Sequence, residues 1–210
     1  MMSQHRTPVS ILDADPAAVM RAPNAIPEEQ ILDAAYEQLL AVGMRRLSMA
    51  DIARSSGVSR ATLYRHWPNA ASVVGALVTR EFAGETAQAF VADTATARAG
   101  LVSGVVAIVR SIRVHPLMRK IIDVDPEFLL PYLVVRRGTS TKHQLDVMEM
   151  ALQAGRADGS IRVGKVALQA RAIWLLACSF TLTAPVLADE VSLEDLDRAL
   201  AELLDRYLAP

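Results

Sequence analysis

The sequence predicts an all-α protein built from a small N-terminal three-helix domain and a larger C-terminal helical domain. Of its 210 residues, 52% are hydrophobic and only 5% are aromatic, and its abundant alanine and leucine favour helices over strands. Apolar residues recur at helical spacing, and proline and glycine separate these stretches. We therefore expect an arm over 1–26, a first domain over 27–75 and a second domain over 76–210.

The first predicted helix covers 27–42. Pro27 suits the first turn of a helix, and Glu28 and Glu29 complement the positive helix end. Gly43 can adopt a left-handed conformation and so end the helix.

Two short helices are predicted next. Ser48 and Asp51 have the spacing of a capping box and begin the first of them. Ser59 can cap the second, over 60–66, and Pro68 ends it because proline pushes the preceding residue out of helical geometry.

The remaining chain is predicted to be helical almost throughout. Asn69 caps a longer helix that bridges the two domains. We expect these helices near 69–90, 96–114, 117–123, 126–134, 138–157, 164–187 and 192–208.

Charge is distributed unevenly along the chain. The formal net charge is -1, but the stretch 44–80 carries six arginines against one acidic residue, whereas 189–206 carries seven acidic residues against two arginines. A basic N-terminal region on a nearly neutral chain indicates a polyanionic partner at that end.

Two short helices joined by a turn that contains glycine form a helix-turn-helix arrangement. Here Gly57 takes the turn, and Ala53 is small enough to let the second helix cross closely. We expect Ile52, Val58 and Leu63 to fill a small core, with Tyr64 and Trp67 packing toward the first and fourth helices. The other face is left with side chains that can donate to phosphates or base edges, namely Ser59, Arg60, Thr62, Arg65 and His66.

The stretch 48–69, SMADIARSSGVSRATLYRHWPN, resembles the DNA-binding signature of the tetracycline-repressor (TetR) family, most specifically in Gly57-Val58-Ser59-x-x-Thr62-Leu63-Tyr64. Close resemblance covers about 27–80. It implies a homodimeric transcriptional regulator without a cofactor, which binds double-stranded operator DNA and a small-molecule effector. The DNA contacts that the resemblance and the basic residues indicate are Arg45, Arg46, Ser48, Ser59, Arg60, Thr62, Tyr64, Arg65 and His66.

Two positions depart from the family pattern. Trp67 stands where the family usually has phenylalanine, and Ala70 stands where a lysine commonly holds a phosphate. Arg45, Arg46 or Arg21 could supply the missing phosphate contact.

The second domain is predicted to bind a ligand and to dimerise. Apolar stripes on the last two long helices suit a four-helix bundle between two chains, which places two recognition helices on one face of a palindromic operator. The predicted dimer residues are Trp174, Phe180, Leu193, Leu196, Leu200, Leu203 and Tyr207. The predicted ligand residues, which suit a hydrophobic or amphipathic effector, are His115, Met118, Phe128, Tyr132, His143, Met148 and Trp174.

We expect a repressor that its effector releases from the operator through a population shift transmitted by the bridging helix. An activator, or a non-specific DNA-binding protein of the same fold, is the alternative. No phosphate loop, nucleophile elbow or convergent carboxylate pair indicates an enzyme, and the histidines lack the spacing of a metal site.

Cys178 is the only cysteine, which excludes an internal disulfide, and its apolar surroundings indicate a core residue. The N-terminus lacks the apolar stretch of a signal peptide, and the apolar window 166–188 is interrupted by polar residues and Pro185. The sequence therefore predicts a cytoplasmic protein without a membrane span.

Overall fold

The computed structural model describes residues 28–89, 94–130 and 139–210. All regular structure within these ranges is helical, which confirms the all-α prediction. The predicted arm over 1–26 lies outside the described residues. The helices are α1 (Glu28–Val42), α2 (Met49–Ser55), α3 (Arg60–His66), α4 (Ala70–Ala89), α5 (Ala97–Val114), α6 (Pro116–Val124), α7 (Thr139–Ala157), α8 (Val166–Leu182), α9 (Ala184–Leu187) and α10 (Leu193–Leu208), with a 3-10 turn at Pro126–Phe128.

Local side-chain chemistry sets the ends of several helices. Gly43 ends α1 with a φ of +78°, a conformation that a side chain would make costly. Thr96 caps α5 by accepting from the Ala99 N–H at 3.2 Å. At α10, Ser192 and Asp195 form a complete capping box.

The hydrophobic side chains of the described chain form two clusters. The first joins α1–α4, which include Ile31, Leu39 and Ile52, and the second joins α5, α7, α8 and α10. We call α1–α3 the head and α5–α10 the body; α4 links them. However, Leu117 and Ile121 of α6 are fully buried in the first cluster. A body helix therefore completes the core of the head, and the sequence division at residue 75 does not separate the two cores.

Two predicted helices differ in the structure. Of the helix expected over 126–134, the structure describes only 126–130, in which Pro126–Phe128 form a 3-10 turn and Leu130 is helical; positions 131–134 lie outside the described residues. The helix expected over 164–187 is divided into α8 and α9. Pro185 lies in the first turn of α9, where its missing N–H cannot continue the hydrogen bonds of α8.

In the described part of the chain, no single helix is long and apolar enough to cross a membrane. The helices α5 and α6 satisfy that test only when they are counted together across a bend of 58°.

Candidate nucleic-acid interface

The turn between α2 and α3 is fixed by backbone and side-chain hydrogen bonds. Gly57 has a φ of +70°, and the Val58 N–H donates to the Ala53 carbonyl at 3.0 Å. The buried Ser56 hydroxyl donates to the Ile52 carbonyl at 2.7 Å, and the Gln30 amide of α1 donates to the Ser56 carbonyl at 2.9 Å. This turn therefore holds α3 in a defined orientation against the rest of the head.

The short helix α3 is held against the rest of the head by the side chains on one of its sides. Leu63 is fully buried and Trp67 nearly so, and both lie in the core of the head. Ser59 caps the helix by accepting from the Thr62 N–H at 3.1 Å, and the two hydroxyls are 2.9 Å apart. The aromatic swap at Trp67 is therefore accommodated in the core.

The opposite side of α3 faces solvent. Ser59, Arg60, Arg65 and His66 are exposed there, and Thr62 is half-buried. None of the ion pairs among the described residues involves Arg60 or Arg65, so no described carboxylate lies at ion-pair distance from either guanidinium.

The packing predicted for Tyr64 is wrong. Its side chain does not pack toward α1 and α4 but is 52% exposed on the same face as Arg60. At helical spacing, Tyr64 lies one turn beyond Arg60, whereas the buried positions are Leu63 and Trp67. The face of α3 thus presents an aromatic ring together with its cations and hydroxyls.

At the start of α2 the hydroxyl of Ser48 is already used within the chain. It accepts from the Asp51 N–H at 3.1 Å and donates to the Asp51 carboxylate at 2.5 Å. The pKa of Asp51 is lowered, chiefly by that hydroxyl and further by Arg54 and Arg60. At α2 the cap thus consists of bonds between Ser48 and Asp51 that involve the Ser48 hydroxyl, whereas among the described helices the complete capping box is the one at α10.

The turn between α1 and α2 carries Arg45 and Arg46, and both are exposed. Arg45 Nε and Nη2 donate to Glu127 Oε1 at 2.8 and 2.5 Å, and Arg45 Nε lies 3.4 Å from Asp125 Oδ1. Hydrogen bonding to Glu127 and its charge raise the pKa of the Arg45 guanidinium. Arg45 is thus tied to the segment that follows α6, whereas Arg46 forms no ion pair within the described chain.

Asp125 fastens that segment to the head. Its carboxyl side chain is almost fully buried, and Oδ2 accepts from the Met44 N–H at 2.6 Å. A Cβ on Gly43 would come within 2.9 Å of the same oxygen. The close approach of the two segments therefore depends on glycine at position 43. We call this contact, made by Met44, Arg45, Asp125 and Glu127, the clasp.

A second polar connection joins the head to the body through α4. Arg80 Nη1 contacts Asp33 of α1 at 2.7 Å and Glu29 of α1 at 3.2 Å, and Arg80 also pairs with Glu81 beside it. Glu81 Oε2 in turn lies 3.6 Å from His115 Nε2, at the start of α6. Both ends of α6 are therefore linked by polar contacts to the head or to α4.

The predicted ligand residues are not brought together in the structure. His115 caps α6 and stacks edge-on against Phe82, whereas His143 is exposed and Met148 is buried in the second cluster. Phe128 packs against the first cluster instead, and Met118 on α6 is half-buried. Trp174 Nε1 donates to Gln144 at 2.9 Å, and Tyr132 lies outside the described residues.

The predicted dimer residues lie on two sides of their helices. Leu200 is fully buried in the second cluster of its own chain and so cannot contact a partner. Leu203 is 50% exposed, and on α8 Leu168 and Leu175 are each 62% exposed. The half-buried residues are Trp174, Phe180, Leu193, Leu196 and Tyr207, of which Trp174, Phe180 and Tyr207 pack against the second cluster.

Sequence reasoning missed the carboxylates that organise the site. The predicted helix bounds, 117–123 and 126–134, place Asp125 and Glu127 at the junction of two helices and give no signal for their contacts in the head. It also missed a buried cluster in the body, where Asp197 of α10 accepts from Arg110 at 2.7 Å and from Arg113 at 2.8 Å. No set of three or more His, Cys, Asp or Glu side chains suited to a metal ion occurs among the described residues.

Comparisons with known proteins agree with this geometry. Residues 31–77 match the profile of the family described as "Bacterial regulatory proteins, tetR family". The chain is 28% identical over 179 residues to an uncharacterised HTH-type transcriptional regulator of Mycobacterium bovis, a match that covers 85% of this chain and 93% of the relative.

Two solved structures share the fold. The TetR family repressor AlkX from a Dietzia strain superposes with a TM-score of 0.65 and 23% identity, over 86% of this chain and 94% of its own. The regulator FadR of Bacillus subtilis, solved in complex with stearoyl-CoA, gives a TM-score of 0.61 and 18% identity, over 86% and 98% of the two chains. Residues 31–77 thus carry the helix-turn-helix domain of the tetR family of bacterial regulatory proteins, and the described chain shares the fold of these two solved regulators.

Proposed function

We propose that the protein is a sequence-specific repressor whose helix α3 reads operator DNA in the major groove. The observation that carries the proposal is the exposed face of α3, which presents Arg60, Tyr64 and Arg65 while Leu63 and Trp67 hold the helix from behind. Guanidinium groups can donate two hydrogen bonds to guanine or to a phosphate. We assign the remaining contacts to Arg45, Arg46, Ser48, Ser59, Thr62 and His66.

A homodimer would allow two copies of α3 to read a palindromic operator. The exposed apolar side chains of α8 and α10, Leu168, Leu175 and Leu203, support a four-helix interface between two chains. Leu200 takes no part in this interface because it is buried in its own chain. Operator binding would place the dimer in the cytoplasm, with the chromosome.

We further propose that a small hydrophobic or amphipathic effector binds the body and releases the operator. Support comes from the fold shared with FadR of Bacillus subtilis, which was solved with stearoyl-CoA. The contacts that α6 of the body and the linking helix α4 make with the head provide a route for such a signal. The effector must bind the DNA-free state more tightly than the DNA-bound state, because equal affinity would shift nothing.

The proposal is tested by a mobility-shift titration with DNA from upstream of the protein's own gene, unrelated competitor DNA and varied salt. A retarded complex that survives the competitor supports sequence-specific binding, whereas a complex that the competitor removes supports non-specific binding. Arg60→Ala is expected to abolish the specific complex and to leave helical content and dimer mass unchanged. Arg119→Ala removes an equally charged, exposed side chain from α6, away from α3 and from the proposed dimer interface, and serves as the control. Unchanged operator affinity in Arg60→Ala would show that α3 does not read the operator.

A further inference from the structure

Arg45 is both a proposed phosphate contact and a member of the clasp. Its side chain is 74% exposed, so DNA can reach it, yet two of its N–H groups already donate to one oxygen of Glu127. Carboxylate and phosphate oxygens accept the same hydrogen bonds from a guanidinium. Glu127 thus occupies donors that a phosphate would need.

Glu127 is brought to Arg45 by buried parts of the structure rather than by chance contact at the surface. Leu117 and Ile121 fix α6 in the core of the head, and Asp125 then bonds the end of α6 to the Met44 N–H. Glu127 follows two residues later, in the 3-10 turn that Pro126 begins. Its position therefore depends on the position of α6.

From this arrangement we propose that Glu127 competes with the operator backbone for Arg45 and thereby lets α6 set the affinity for DNA. The inference rests on the proposed function. When Arg45 turns to a phosphate, the contact with Glu127 is lost, and the clasp is left with the bond between Asp125 and Met44. Because binding linkage is reciprocal, a shift of α6 that withdraws Glu127 also favours the DNA-bound state.

The exposure of both side chains limits the size of the effect. Glu127 is 49% exposed, and solvent screens exposed ion pairs strongly. We therefore expect Glu127→Gln to tighten operator binding by about two- to fivefold, the range that an exposed ion pair covers.

A double-mutant cycle tests the proposal. Operator affinity is measured by fluorescence anisotropy, at several salt concentrations, for wild type, Glu127→Gln, Arg45→Ala and the double variant. Competition requires that Glu127→Gln tightens binding in the wild type but not in the Arg45→Ala background. Asp123→Asn is the matched control, because it removes the same charge from an exposed carboxylate of α6 whose ion pair is with Arg119.

Each outcome separates the explanations. An equal gain from Glu127→Gln with and without Arg45, or an equal gain from Asp123→Asn, would mean that the loss of negative charge acts at a distance, and the competition would be refuted. If wild type binds the operator and Glu127→Gln does not bind it more tightly, the competition is refuted and the proposed function stands. Wild type that binds no DNA sequence specifically would overturn both.

Discussion

Replacing Gly43 with alanine is expected to destabilise the protein more than the same replacement at a glycine of positive φ whose added Cβ would meet no other atom. The residue has a φ of +78°, and an added Cβ would lie 2.9 Å from Asp125 Oδ2 and 3.1 Å from Val124 Cγ1. The left-handed backbone alone costs a residue with a side chain about 1–2 kcal/mol. Displacing Asp125 also weakens the hydrogen bond from the Met44 N–H, and bonds to a charged group contribute about 1.5–3 kcal/mol. The two costs together give about 2.5–5 kcal/mol.

Gly57→Ala supplies the matched control within the same head. Gly57 has a φ of +70°, but an added Cβ would meet nothing within 4 Å. It should therefore cost only the backbone contribution of about 1–2 kcal/mol. The free energy of unfolding of both variants is measured by urea denaturation at neutral pH, and the midpoint and slope are compared with those of wild type.

The difference between the two variants isolates the clasp. We expect Gly43→Ala to lose at least about 1.5 kcal/mol more than Gly57→Ala, because only Gly43 faces the Asp125 carboxylate. Equal losses would mean that the segment after α6 moves aside without cost, and the view that Asp125 holds α6 to the head would be refuted.

Three further perturbations test other parts of the structure. Leu117→Ala should lower the free energy of unfolding by about 2–5 kcal/mol, as expected for a buried leucine; a loss below about 1 kcal/mol in urea denaturation would place α6 outside the core of the head. Asp197→Ala leaves the buried Arg113 without its carboxylate partner and should lower the free energy of unfolding by about 3–5 kcal/mol in the same assay. A free energy of unfolding close to that of wild type would show that the cluster does not depend on Asp197. Burial raises the pKa of the Cys178 thiol to about 12. Because its folded pKa lies above its unfolded value, the native thiol stays protonated at neutral pH, and its contribution to stability declines as the pH rises from the unfolded pKa through the folded one. Iodoacetamide should therefore alkylate Cys178 slowly in the native protein and rapidly in urea, and equal rates would contradict its burial.

Much of the helical architecture follows from local signals in the sequence. Residues that cap or end a helix lie within a few positions of the helix boundary that they set, so the boundary can be predicted from the local sequence. Ser59 at the start of α3 and Gly43 at the end of α1 are examples. The spacing around Gly57 predicted the helix-turn-helix, and the family profile over 31–77 confirms it.

The packing partners of an amphipathic helix could not be predicted in this way. The stripe that Leu117 and Ile121 form shows that α6 buries one face, but it does not show that the face belongs to the core of the head. Similarly, the leucine stripe of α10 does not distinguish Leu200, which faces its own chain, from Leu203, which faces solvent. Periodicity gives the angle of a side chain around its helix, whereas the partner depends on contacts between residues distant in sequence.

The clasp could not be predicted from the sequence for the same reason, because it depends on contacts between residues that are distant along the chain. Met44 and Asp125 are separated by 81 positions, and nothing in the local sequence of either indicates the other. Asp125 and Glu127 lie at the junction between the helices predicted over 117–123 and 126–134, and that position does not indicate a contact with Arg45.

Selection of operators from a random DNA library, with wild type and Arg60→Ala in parallel, tests most directly whether α3 reads sequence. Wild type should enrich one motif with two inverted half-sites, because a two-fold dimer presents α3 twice. Arg60→Ala should lose the enrichment or change the base preference within each half-site. Recovery of the same motif by both proteins, or of no motif by wild type, would contradict the assignment of α3 as the recognition helix.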